Sequence, residues 1–151
     1  MQQNEVESTG HNRQIFVNLA VKDLKKTIEF FTKLGFKFNP QFTNENATCM
    51  IIGKDSYVML LVEKFFKGFI PNKQICDAKK NTEVLVALSA ASKEEVDQMI
   101  NIAIAAGGKE YRETQDYGWM YGRAFEDLDG HIWELGYMDM DNLPEEMKNK
   151  K

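Results

Sequence analysis

QDYGWMYGRAFEDLDGHIWELGYM, from Gln115 to Met138, is the stretch on which the fold turns. Two runs rich in aromatic and apolar residues flank Asp127-Leu128-Asp129-Gly130. Asp and Gly tolerate the backbone angles of a tight reversal, so this is the pattern of a β-hairpin. In the second run Ile132, Glu134 and Gly136 fall on one face, and His131, Trp133, Leu135 and Tyr137 on the other. Glu134 is thus a carboxylate among apolar neighbours, where a charge is costly unless it is paired or bound to a metal. With Leu128-Asp129 at the tip, Arg123 is expected opposite Glu134 on the same face, and Tyr121 opposite Gly136.

Composition narrows the function classes. A chain of 151 residues fits one domain burying roughly 70% of its unfolded surface. A net charge of −4, without a dense basic run, argues against a nucleic-acid partner. No apolar run suits a membrane span, and the first twelve residues are too polar for a secretory signal. Cys49 and Cys76 form no CxxC or zinc spacing, so a reduced, cytoplasmic setting is expected.

Working outward from the hairpin, one order of elements occurs twice. Ile15 to Val21 reads as a strand with Phe16, Asn18 and Ala20 on one face. Leu24, Ile28, Phe31 and Leu34 recur at helical spacing, and Gly35 supplies the stop. Phe36–Phe42, Ala47–Ile52 and Tyr57–Val62 read as three strands. After a short helix carrying Phe65, Phe66 and Phe69 and a polar connection, Glu83–Leu88 is again a strand. Ser92 and Glu95 make a capping box, Val96, Met99, Ile100 and Ala103 give an apolar stripe, and Gly107-Gly108 ends the helix. Lys109–Arg112, Trp119–Glu126 and His131–Met138 complete the second set.

The expected class is α+β, with two βαβββ modules forming curved mixed sheets. The chain divides into a polar tail over 1–12 and one domain over 13–139, then a polar tail or short helix over 140–151. Within the domain, 13–64 is the first module, 65–81 the connection and 82–139 the second module.

The opening strand running into Val21-Lys22-Asp23-Leu24, then Phe30-Phe31, Leu34-Gly35-Phe36 and the closing Asp127-to-Leu135 run, resemble the vicinal oxygen chelate superfamily of glyoxalases, bleomycin-resistance proteins and extradiol dioxygenases. Asn39-Pro40-Gln41-Phe42 and Gln115 to Arg123 are similar to its predicted-glyoxalase, lactoylglutathione lyase-like branch. The resemblance implies that the paired modules enclose a cup, and that in metal-dependent members four side chains, two per module, hold a divalent ion. Those positions fall at Phe16, Leu60, Leu85 (give or take one residue) and Glu134. Glu134 alone carries a donor, so no metal cofactor is expected there.

Two function classes follow. One is a binding module for a small, anionic molecule, with Asn18, Tyr121, Arg123 and Glu134 as polar anchors. The other is a metal-free lyase or isomerase with Glu134 as general base. A metal-dependent enzyme with a shifted set of Asn18, Glu83 and Glu134 is a third, weaker reading. Against these stands a purely structural ion pair at Arg123 and Glu134. Glu83 reads as solvated, His131 as packing or surface, and Tyr117 and Trp119 as core or gate. No nucleophile set, P-loop or Rossmann fingerprint is present. A homodimer is expected, from the resemblance and from the apolar surplus at Phe65, Phe66 and Phe69.

Overall fold

A computed structural model describes residues 12–150; the expected tail over 1–12 lies, apart from Asn12, outside the described residues. The elements run β1 (Ile15–Val21), α1 (Leu24–Lys33), β2 (Lys37–Asn39), β3 (Ala47–Ile51), β4 (Ser56–Val62) and α2 (Glu63–Lys67). They continue with β5 (Leu85–Ser89), α3 (Lys93–Ala105), β6 (Lys109–Glu110), β7 (Gln115–Asp116), β8 (Met120–Glu126), β9 (Ile132–Met138) and α4 (Glu145–Lys148). The fold is α+β, and the doubled βαβββ order is present. Each sheet is mixed, with its first strand parallel to its last: β1-β4-β3-β2 in one, β5-β9-β8-β6 in the other, where β7 also pairs with β8.

The chain forms two compact units. Among the described residues, the first takes in those up to Lys25 and Phe36–Gln74, the second Lys26–Gly35 and those from Ile75 onward. In the first unit Leu19, Val21, Thr48, Met50, Val58 and Leu60 are buried on one sheet face. Phe16, Asn18, Ile51, Tyr57 and Met59 lie on the other, and α2 packs against β1 and β4. The expected strand Phe36–Phe42 is cut short at Asn39. Its second half is a 3-10 turn, Pro40–Phe42, because Pro40 has no N–H for a ladder and the Asn39 side chain accepts from the Gln41 amide at 3.0 Å.

In the second unit α3 begins on the expected box. Ser92 Oγ accepts from the Glu95 amide at 3.0 Å, and Glu95 Oε2 accepts from the Ala91 amide at 2.6 Å, one residue before the box's usual partner. Val96, Ile100 and Ala103 are fully buried, and α3 packs on β8 and β9. The body of α1 belongs to this unit too, although the first module encodes it. Its Phe30 ring lies 5.9 Å from Phe125, and Phe31 lies 4.9 Å from Trp133. This helix-covered face of the sheet carries Trp133, Leu135 and Phe125; the opposite face carries Glu134.

Candidate functional site

The final hairpin sets the geometry of every side chain singled out above. Asp127 N–H donates to His131 O at 2.9 Å, and Gly130 N–H donates to Asp127 O at 3.1 Å. Asp127 Oδ1 accepts from the Asp129 and His131 amides, while Oδ2 accepts from Trp133 Nε1 at 3.0 Å. The loop therefore has three residues, Leu128 to Gly130, closed by Gly130 at φ +93°. A two-residue tip at Leu128-Asp129 does not form, and the ladder shifts by one.

That shift corrects the expected pairing. Arg123 stands opposite Leu135, and Ala124 stands opposite Glu134, so Arg123 and Glu134 point to opposite faces. Tyr121 pairs with Tyr137, not Gly136, and also points away from Glu134. The Arg123–Glu134 contact does not exist, and the four expected anchors do not form one patch.

Arg123 and Tyr121 instead join β8 to α3 and β6. Arg123 Nη1 donates to Asp97 Oδ1 at 2.8 Å, Nη2 donates to Glu110 Oε1 at 2.9 Å, and Tyr121 Oη donates to Asp97 Oδ1 at 2.7 Å. The Tyr121 hydroxyl, and then the Arg123 guanidinium, hold the Asp97 carboxyl below the ordinary carboxylate range. Its stabilising contribution is present above the unfolded pKa of about 3.9 and is lost as pH falls through the lowered folded value. Urea midpoints measured down a pH series should therefore drop less steeply below about pH 4 in Asp97→Asn than in the wild type. Parallel profiles would contradict this account of the cluster.

Glu134 has a different cation, which the sequence did not point to. Arg112 Nη2 donates to Glu134 Oε2 at 2.7 Å, with side-chain exposures of 27% and 24%. Arg112 lies past the end of β6, with φ at +76°. The expected strand Lys109–Arg112 stops at Glu110 because such a residue cannot continue a ladder. Around Glu134, Ala87 and Ala124 are its cross-strand neighbours, with Gly136 two residues on and Gly122 diagonal. A Cβ added at Gly136 would meet nothing within 4 Å, so the floor beside Glu134 is low and open.

Asn18 is exposed and donates to Phe16 O at 3.4 Å; Phe16 stacks on Tyr57 at 4.9 Å. Leu60 needs correction as a metal position: it pairs with Leu19 on the buried face, and the β4 residues that share the face of Phe16 are Tyr57 and Met59. Leu85 does share the face of Glu134, without a shift of register. Glu83 and Tyr117 are exposed. A shallow depression of about 590 Å³ follows one side of α3, lined by Glu94, Asp97, Gln98 and Asn101; Glu134 and Arg112 take no part in it.

The pairing of the strands is matched by a family-wide likeness. The model of the Glyoxalase/Bleomycin resistance protein/Dioxygenase superfamily matches residues 13–135. The chain belongs to this superfamily. A hypothetical protein of S. aureus shares 33% identity and a TM-score of 0.70, over 85% of this chain and 95% of that one. A superfamily enzyme from Burkholderia phytofirmans PsJN superposes with a TM-score of 0.69 at 16% identity, over 84% and 99% of the two chains. A genomically encoded fosfomycin resistance protein from Listeria monocytogenes gives 0.62 at 22% identity, over 93% and 99%. No curated protein matches the chain.

Superfamily members that use a divalent ion need several hard donors around it. Here Phe16 and Leu85 have no donor atom, β4 offers a soft thioether at Met59 and a phenol at Tyr57 that donates to Lys54 O at 2.9 Å, and Glu134 is engaged by Arg112. Among the described residues, no group of three or more His, Cys, Asp or Glu side chains is placed to hold a metal. The residues at the family positions do not fit a divalent ion.

Proposed function

We propose that this chain is a binding member of the glyoxalase superfamily that takes a small anionic molecule without a metal at the family position. One observation carries the reading: Glu134, the only carboxylate at the family positions, is neutralised by Arg112 at 2.7 Å. The half-exposed Leu85, on the same sheet face as Glu134, supplies apolar wall, as expected of a site for an organic ligand. Thermal shifts across a library of metabolites test it, with turnover assays on the hits. The reading expects hits among organic acids that are unaffected by chelator; a set of neutral hits, or hits that vanish with chelator, would overturn it.

A metal-free lyase or isomerase is the second reading, because Glu134 is a carboxylate on an open floor where a substrate C–H or O–H can be met. Turnover of a hit that is lost in Glu134→Gln would select it over pure binding.

A cytoplasmic homodimer completes the proposal. Cys49 and Cys76 are both free thiols. Phe65 of α2 and Phe69 in the turn that follows are exposed by 38% and 65% and contact each other edge-on at 5.2 Å. Light scattering at tens of micromolar should give twice the 17.4 kDa chain mass. A monomer mass would remove the dimer.

A further inference from the structure

Arg112 is an uncommon arginine. Its backbone sits at φ +76°, a conformation that disfavours non-glycine residues and gathers at ligand sites. Its side chain is about three-quarters buried, yet among the described residues it makes one bond, from Nη2 to Glu134. Its Nε is shielded from solvent and has no partner. A guanidinium presents five donors in a planar fork, and carboxylates commonly engage two neighbouring ones. Glu134 takes one. The pair therefore has guanidinium donors to spare and carboxylate lone pairs to spare, side by side, on a floor of Ala87, Ala124, Gly122 and Gly136.

A bare oxyanion set on Arg112 would be repelled by Glu134. An oxyanion that carries its own hydrogen-bond donor one or two atoms away would not be. Its oxygens can take the donors that Glu134 leaves free at the Nη1 end of the fork, and the neighbouring Nε–H senses the change. Its hydroxyl or ammonium can donate to the free lone pairs of Glu134. We propose that Arg112 and Glu134 together form a recognition site for a hydroxy- or amino-substituted acid, with Arg112 holding the acid group and Glu134 the adjacent donor. This rests on the anionic-ligand reading above and gives it a chemical class. Arg123, the anchor suggested by the sequence, is excluded from the role because Asp97 and Glu110 already occupy its fork.

The chain has three arginines, Arg13, Arg112 and Arg123, so their Nε–H resonances can be assigned and followed separately by NMR. Glycolate is the probe, acetate the control that lacks the donor, and hydroxymethylphosphonate against methylphosphonate repeats the comparison for a tetrahedral acid. So small a probe is expected to bind with Kd on the order of 1–10 mM. The Arg112 Nε–H should shift saturably with glycolate or hydroxymethylphosphonate, and about tenfold more weakly with the unsubstituted acids. Glu134→Gln should narrow that preference, and in Arg112→Lys the backbone amides of Gly122 and Gly136, which border the same floor, should lose the saturable shift they show in the wild type, since an ammonium lacks the fork. Equal affinity for acetate and glycolate would overturn the proposal, as would a response at Arg123 or Arg13; in both cases the anionic-ligand reading survives. No saturable response to any acid, together with only neutral hits in the metabolite screen, would remove both. The wild-type titration needs no variant, so a poorly folding mutant leaves the test intact.

Discussion

Trp133→Ala is expected to lower the unfolding free energy by about 3–5 kcal/mol, the range for truncating a large buried aromatic. Trp133 is fully buried on β9, 4.9 Å from Phe31 and 6.4 Å from Phe125, whose ring is nearly parallel to it. Truncation would empty the space where α1 meets the sheet of the second unit. It would also strand Asp127 Oδ2, which accepts the indole N–H at 3.0 Å. Burial already pushes the Asp127 carboxyl up, so loss of a donor falls on a group with little solvent to replace it. Trp133→Phe separates the two effects: it keeps most of the ring volume and removes the donor, at a cost of about 1–3 kcal/mol. Urea unfolding gives both numbers. A loss of under about 1 kcal/mol for Trp133→Ala would mean this ring is not central to the packing.

Gly130→Ala should cost about 2–4 kcal/mol, a large effect for one methyl group. Two causes add. Gly130 sits at φ +93°, where an L side chain costs roughly 1–2 kcal/mol. Its added Cβ would also lie 2.8 Å from Lys79 N and 2.9 Å from Ala78 O, both backbone atoms that cannot swing aside. Gly118 is the control. It has φ +82° with nothing within 4 Å of an added Cβ, so Gly118→Ala should show the backbone cost alone. Equal effects at the two glycines would show that the chain at Ala78–Lys79 does not press on the hairpin.

The same glycine explains where the sequence could be read and where it could not. Strand and helix periods are local, so the doubled βαβββ order, the apolar stripe of α3 and its Ser92 cap were legible. The hairpin was legible too, but its register was not. Asp127-Leu128-Asp129-Gly130 suits a loop of either two or three residues, and the choice moves Arg123 from the face of Glu134 to the face of Trp133. Leu60 failed for the same reason, one residue of phase along β4. Arg112 left no local trace. It lies 22 residues before Glu134, where the alternation breaks and the backbone turns left-handed, and only the fold brings the pair together. Candidate site residues on strands depend on register in a way that core residues do not.

The central claim is that Arg112 takes the place of a metal at Glu134. Calorimetric titration of metal-stripped protein with zinc, nickel, iron(II) and manganese tests it most directly. The account predicts no stoichiometric binding to the wild-type chain at the family position. One tight equivalent of any of these ions, abolished by Glu134→Gln, would contradict it.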